Sequence, residues 1–246
     1  MRSDAEYTAV LALAAQGLND CEIARRTGVP RPTVRGWRSG TQRSKRPFAT
    51  EYDWNVLQER EHVYSYLLGF YLGDGSISRL PRHVYRLRIA IDERHPHIID
   101  ECRDAVATIM PRNRVDVVSC VGCVHVSASS KHWPDLFPQH GKGKKHERKI
   151  ELYGWQQDAV ARFPKQFLRG LIQSDGSRFM NRVTVGGRSY AYPRYTFSNT
   201  SSDIRELFTH ACDMLGIAWR QMNALNVSVA RKEAVAALDA FVGPKR

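Results

Sequence analysis

Acidic residues are in short supply. Against 37 Lys and Arg stand only 25 Asp and Glu, giving a formal net charge of +12 over 246 residues. That imbalance argues against a cationic partner and fits a polyanion. Cysteine is sparse too: Cys21, Cys102, Cys120, Cys123 and Cys212 are scattered and odd in number. This excludes the disulfide framework of a small secreted domain, and reduced thiols in a cytoplasmic, nucleoid-associated protein are expected. Long apolar runs are absent. None approaches the roughly 20 residues of a membrane helix, so no span is expected. The stretch AVLALAAQ near the start is preceded by one base, Arg2, and by Asp4 and Glu6, and reads as an amphipathic helix rather than a leader. A composition of 42% hydrophobic and 10% aromatic residues excludes a disordered chain.

Cys120-Val-Gly-Cys123 is the one CxxC, in VDVVSCVGCVHV, which reads as strand, turn and strand with Gly122 at the turn. A zinc site would want a second pair, and His125 alone is weak support, so the sequence assigns no zinc there.

Residues 7–38 read as three short helices. The first runs from about Glu6 to Gln16 and ends at Gly17. Asn19 caps the second, with Glu22 three residues on as in a capping box. Gly28 supplies a tight turn, and Pro32 sits in the first turn of the third. Leu11, Ile23, Val29, Val34 and Trp37 form the expected core, and Arg31, Thr33, Arg35 and Arg38 are left outside. Two helices about a Gly turn, the second rich in arginine, is how a helix enters a major groove. The segment resembles the helix-turn-helix of resolvases and homeodomain-like regulators. A helical hairpin with a solvated basic face is the plainer alternative. The expected boundaries are a helix-turn-helix module at 1–40, a basic linker at 41–58 and a larger domain at 59–246.

The larger domain contains a repeat. LLGFYLGDG at 67–75 returns as LRGLIQSDG at 168–176. Asp74 and Asp175 differ by 175 − 74 = 101, as do Gly69 and Gly170, Ser76 and Ser177, Lys131 and Lys232, and Lys144 and Lys245. Each apolar helix is followed by alternating strands. In RHVYRLRIAI, Tyr85, Leu87, Ile89 and Ile91 share one face, with Arg86 and Arg88 on the other. In the second copy Tyr195 and Phe197 oppose Arg194, Thr196 and Ser198, and Arg182 lies on the preceding strand. Each half reads αββαββα, over about 59–152 and 153–246. The fold class is α+β, two pseudo-symmetric halves behind a small all-α module, and the fixed offset argues duplication.

Gly69 and Gly73 lie four apart on one helical face, as do Gly170 and Ser174. Small residues on one stripe let two helices approach closely, and such a pair would bring Asp74 and Asp175 together at their C-terminal ends. Two carboxylates at the negative ends of two helix dipoles repel each other, and a divalent cation relieves both effects. Hard oxygen ligands suit Mg²⁺ (or Mn²⁺). One Asp-Gly commonly just ends a helix; two in register ahead of Arg-studded strands are not explained that way.

These motifs resemble the paired motifs of LAGLIDADG homing endonucleases, over roughly residues 60–246. The resemblance implies a monomeric saddle of two αββαββα halves that cuts double-stranded DNA at an asymmetric or pseudo-palindromic site, with no obligate protein partner. It implies that Asp74 and Asp175 bind the catalytic metal. Leu72 and Gln173 stand where the family often has a further acid. A basic residue of each half usually lies near the cleavage centre, and GKGKKHERK and GPKR make Lys144 and Lys245 the candidates. Arg31, Thr33, Arg35, Arg38, Arg86, Arg88, Arg182, Arg194, Thr196 and Ser198 are the expected DNA contacts. Two alternatives stay open: a transcription regulator on the same fold that binds without cutting, and an intron RNA maturase, which would prefer RNA.

Overall fold

The computed structural model describes residues 3–40 and 52–243. Lys245 and residues 41–51 of the expected linker lie outside that range. The chain divides into two compact units, 1–50 and 51–246.

In the first unit, Ser3 and Glu6 form a reciprocal capping box: the Glu6 carboxylate accepts from the Ser3 N–H at 2.7 Å, and the Ser3 hydroxyl accepts from the Glu6 N–H at 3.2 Å. This starts helix α1 at Asp4–Ala15. Helix α2, Asp20–Thr27, is capped by Asn19, whose side chain accepts from the Cys21 and Glu22 N–H groups. The Glu22 carboxylate does not close a box; it pairs with Arg25 and Arg26 instead. Gly28, at φ +65°, makes the turn into helix α3, Arg31–Arg38. The core holds Val10, Ile23, Val29 and Val34, with Trp37 packed against it. Leu11 does not join it and is 37% exposed. The inward face of α1 takes Val10, Leu13 and Ala14, which are three and four residues apart. Leu11 falls about 100° from Val10.

The second unit opens with helix α4, Trp54–Glu59, so residues 52–58 of the expected linker have described structure, with Tyr52 and Leu57 in the main core. Helix α5, Glu61–Asp74, leads into β1, Gly75–Leu80, and β2, Val84–Asp92. Helix α6, Pro96–Ile109, strands β3, Val115–Cys120, and β4, Cys123–Ser130, and the short helix α7, Trp133–Leu136, complete the first half. Helix α8, Gly154–Arg162, precedes the second copy: α9, Pro164–Asp175; β5, Gly176–Val185; β6, Arg188–Ser198; α10, Ser202–Met214; β7, Arg220–Gln221; β8, Asn226–Val229; and α11, Lys232–Val242.

The two antiparallel sheets have the same order, β1-β2-β4-β3 and β5-β6-β8-β7. Both place the glycine after the aspartate at matching points, Gly75 opposite Ile89 and Gly176 opposite Phe197. One face of each sheet is apolar. Leu87, Ile89, Ile91 and Val126 are buried in the first, and Tyr195, Phe197, Val227 and Val229 in the second. Period-2 alternation turns Arg88 and Val118, which is 51% exposed, to the opposite face. Aromatic side chains fill the core beneath: Tyr71 stacks on Phe137 at 4.4 Å, and the Trp133 indole N–H donates to the Ala128 carbonyl. Strands β5 and β6 outrun their neighbours. Their ladder continues to Val185 and Arg188, whereas β8 pairs only with Tyr195–Ser198, so a two-stranded ribbon projects. Among the described residues no helix is long and apolar enough to cross a membrane.

Candidate active site

The site begins with how closely α5 and α9 approach. A Cβ placed on Gly69 would lie 2.8 Å from the Leu171 nitrogen and 3.1 Å from the Gly170 Cα. A Cβ on Gly170 would lie 2.9 Å from the Phe70 nitrogen. The obstacles are backbone atoms, which cannot swing aside. One turn on, Gly73 faces Ser174, whose hydroxyl donates back to the Gly170 and Leu171 carbonyls. Replacing Gly69 or Gly170 with Ala should therefore destabilise the fold by about 2 kcal/mol or more, even though Ala is the better helix former. Urea unfolding of the two variants measures this, and unchanged midpoints would contradict the packing.

This approach sets the two helix ends side by side. Asp74 ends α5 and is exposed; Asp175 ends α9 and is half-buried. A Cβ on Gly73 would come within 3.1 Å of the Asp175 Oδ2. Lys145, in a single 3₁₀ turn at Lys145–Glu147, completes the junction. Its ammonium donates to the last carbonyls of α5, those of Tyr71 at 2.6 Å, Leu72 at 2.8 Å and Gly73 at 2.6 Å. Three donors thus meet three carbonyls at the negative end of a helix dipole. Burial lowers the Lys145 pKa to about 8, opposed by the charges of Asp175 and Asp74 and reinforced by Arg148. The lysine feels both carboxylates, so the three groups form one electrostatic cluster. Asn199, just past β6, donates to Asp175 Oδ2 at 2.5 Å. Asn199 is itself held by its contacts to Ser201 and Leu225. A cavity of about 420 Å³ opens here, lined by Gly73, Lys144, Lys145, Asp175, Ser198 and Asn199 among others.

Lys144 lines this cavity but is exposed, and its backbone N–H is the group that bonds Glu147. Lys145, one residue on, is the side chain that reaches the helix ends. The four lysines in GKGKKHERK offered no local signal to choose between them, and the 101-residue offset favoured Lys144. Asn199 carried no signal either, because its role depends on where β6 ends in space. Gln173, two residues before Asp175, is buried; it accepts from the Tyr66 hydroxyl at 2.7 Å and donates to the Val242 carbonyl. Leu72 is buried in the core. Neither position holds a group for the cluster.

The strand residues divide by register. Arg86, Arg88, Ser127 and Ser129 share one face, with Arg86 Nε donating to Ser129 Oγ at 3.3 Å. Arg194, Thr196 and Ser198 share the corresponding face of the second sheet, and Ser198 bonds Asn226. Arg194 Nε, Thr196 Oγ1 and, opposite Thr196, Ser228 Oγ are buried without a hydrogen-bond partner among the described residues. Arg182 is not brought to them. It pairs with Ala191, on the same face as Arg178 and Tyr195, out on the projecting ribbon. In the first unit Arg31 and Arg35 are exposed, Thr33 is half-buried, and Arg38 is tied to Asp20 at 2.5 Å.

Two αββαββα halves joined through glycine-faced helices, each ending in aspartate, constitute the LAGLIDADG fold. I-DmoI in complex with DNA and Mn superposes with a TM-score of 0.50 at 13% identity, covering 76% of this chain and 99% of that one. I-AabMI bound to uncleaved DNA gives 0.47 at 10% identity, over 72% and 82% of the two chains. The N-terminal LAGLIDADG domain of WhiA gives 0.46 at 15% identity, over 76% and 83%. At these identities the likeness is one of fold. Residues 6–47 match a homeodomain-like domain. No curated protein matches the chain.

Proposed function

We propose that the chain is a site-specific, metal-dependent double-strand DNA endonuclease. The observation that carries this reading is the cluster of Asp74, Asp175 and Lys145 at two abutting helix ends, beside sheet faces bearing arginine and serine. Two carboxylates in one place are costly without a counter-charge, and a single lysine already committed to three carbonyls offsets only part of it. The donor set fits a hard divalent cation, with Asp74 and Asp175 as its protein ligands. Magnesium or manganese bound there supplies Lewis acidity toward phosphate and water. Asn199 holds the Asp175 carboxylate in place, and Lys145 adds positive charge where a phosphodiester gains negative charge. Arg86, Arg88, Arg194, Thr196 and Ser198 contact DNA; the unpartnered polar atoms on the second sheet support this, because groups left unsatisfied in the free protein gain partners on binding. Both half-sites reside in one polypeptide. The sheets differ at most outward positions, so the target is asymmetric or imperfectly palindromic and a monomer suffices.

A second reading, a DNA-binding regulator that does not cut, is favoured by the homeodomain-like match at residues 6–47. The two readings separate cleanly. Duplexes selected from a randomised pool by binding alone are mixed with the full chain, and Mg²⁺ is added. An endonuclease cuts them; a regulator leaves them intact.

On either reading the first unit contributes affinity through Arg31, Thr33 and Arg35. Removing residues 1–45 should weaken DNA binding and flatten its dependence on salt, because fewer phosphates are neutralised. Equal affinity of the shortened chain at every salt concentration would show that this unit does not bind DNA.

A further inference from the structure

Cys120, Cys123 and His125 converge at the β3–β4 hairpin. Cys120 and Cys123 are cross-strand partners flanking a two-residue turn with Gly122 at φ +75°. His125 lies two residues beyond Cys123, so its side chain shares the face of both sulfurs. The Cys120 Sγ is 3.4 Å from His125 Nδ1, and the Cys123 Sγ is 3.9 Å from His125 Nε2. All three donor atoms lie within 4.8 Å of one another, and both thiols are free. Around a tetrahedral zinc, with Zn–S about 2.3 Å and Zn–N about 2.0 Å, ligand atoms stand roughly 3.5–3.8 Å apart. The two sulfurs meet different ring nitrogens, and one zinc takes one of them; with one donor atom per residue all three lie within 4.8 Å, so closing on an ion needs a turn of the imidazole and a contraction of up to about 1 Å.

We propose that Cys120, Cys123 and His125 form a zinc site, with the fourth position taken by solvent. Two sulfurs and an imidazole select a thiophilic ion, whereas the carboxylates at the helix ends select a hard one, so the two sites do not compete. Binding forms two zinc–thiolate bonds and one zinc–imidazole bond and releases two thiol protons to solvent. The backbone already holds the ligands in place. The hairpin fixes both cysteines, and the ladder fixes the histidine through its partners Ala90 and Val118. No disulfide joins the two sulfurs, so a bound ion would pin the tip of the hairpin. Register places the site on the face that also carries Arg86 and Arg88. The site stands on this geometry alone and does not depend on the endonuclease reading.

The test uses the reduced, chelator-stripped full chain titrated with Co²⁺ and then Zn²⁺. The expected result is thiolate-to-cobalt charge-transfer absorption with tetrahedral ligand-field bands, saturating at one equivalent and lost on zinc addition. Cys120→Ser, Cys123→Ser and His125→Ala should each weaken the cobalt binding read from the thiolate bands at least tenfold, whereas Asp74→Asn/Asp175→Asn should leave the position, intensity and midpoint of those bands unchanged. Alkylation followed by mass spectrometry gives a second readout on the unmodified protein: zinc should slow labelling of Cys120 and Cys123 but not of exposed Cys21. Absence of thiolate bands at one equivalent, bands that persist in the serine variants, or labelling of Cys120 and Cys123 that zinc does not slow would each overturn the site.

Discussion

Asp74→Asn/Asp175→Asn should bind its DNA target and fail to cut it. The substitution keeps the shape of each side chain and removes two anionic oxygen donors from the junction of α5 and α9. On the proposed reading binding is supplied by the sheet faces and by the N-terminal unit, so affinity should stay within about tenfold of wild type, which is about 1.4 kcal/mol. It should shift toward tighter binding, since two carboxylates no longer face phosphate. Cutting should fall by at least about 10³-fold, because the ligands that hold the activating cation are gone. Either single substitution should slow one strand more than the other, and nicked duplex should accumulate. A merely structural role for the aspartates makes different predictions: melting would shift at the helix ends and cutting would continue. Gel shift, thermal melting and strand-resolved cleavage on the same preparations separate these outcomes.

Lys145 carries the second large effect. Lys145→Met removes the cation that holds three α5 carbonyls and faces both aspartates, and should reduce cutting by about 10²-fold with DNA binding retained. Its pH behaviour identifies it. The folded pKa is about 8, below the ordinary 10.5, because burial disfavours the charge. That value belongs to the metal-free fold, and a cation on Asp74 and Asp175 offsets the two charges that hold it up, so wild-type cutting should decline with rising pH at or below about 8, and the Met variant should lack that decline. Stability moves the other way. Between about pH 8 and pH 10.5 the unfolded chain holds the lysine proton and the folded chain does not, so the contribution of Lys145 to stability rises with pH in that window. Single-turnover rates and urea midpoints, each measured for both proteins at about pH 7 and about pH 9.5, should diverge in sign. A parallel fall in rate and stability would mark Lys145 as structural only.

The duplicated αββαββα order was legible in the chain because helices and strands print different periods, and because both copies print them at one constant offset. The boundaries of the N-terminal helices were less so. Helix α1 starts at Asp4 rather than Glu6, and Val10 rather than the neighbouring Leu11 lies in a core of four residues, because the inward face is the one shared with Leu13 and Ala14. Single-residue phase matters more in so small a core than in the large one. The cluster at the helix ends was legible only where it is written within a motif. Asp74 and Asp175 belong to repeated segments, so their equivalence could be read. Lys145 and Asn199 belong to a 3₁₀ turn and a strand end, whose placement depends on contacts over 74 and 24 residues of chain respectively. Register resolved Arg182 as well: a strand residue out of phase with Arg194 is invisible until its partner is known, and Ala191 is that partner. The hairpin cysteines illustrate the same limit from the other side. As a spacing, CVGCVH is an incomplete signature; as a hairpin, it places three donor atoms on one face.

Cleavage selection from a randomised duplex library with the full chain in Mg²⁺ is the most direct measurement of the central claim. Sequencing of cut ends should return one class of site, not fully symmetric about its centre, and no product when EDTA replaces Mg²⁺ or when Asp74 and Asp175 are both Asn. Recovery of enriched, bound but uncut duplexes under the same conditions would contradict the endonuclease assignment and leave a DNA-binding protein on a LAGLIDADG fold.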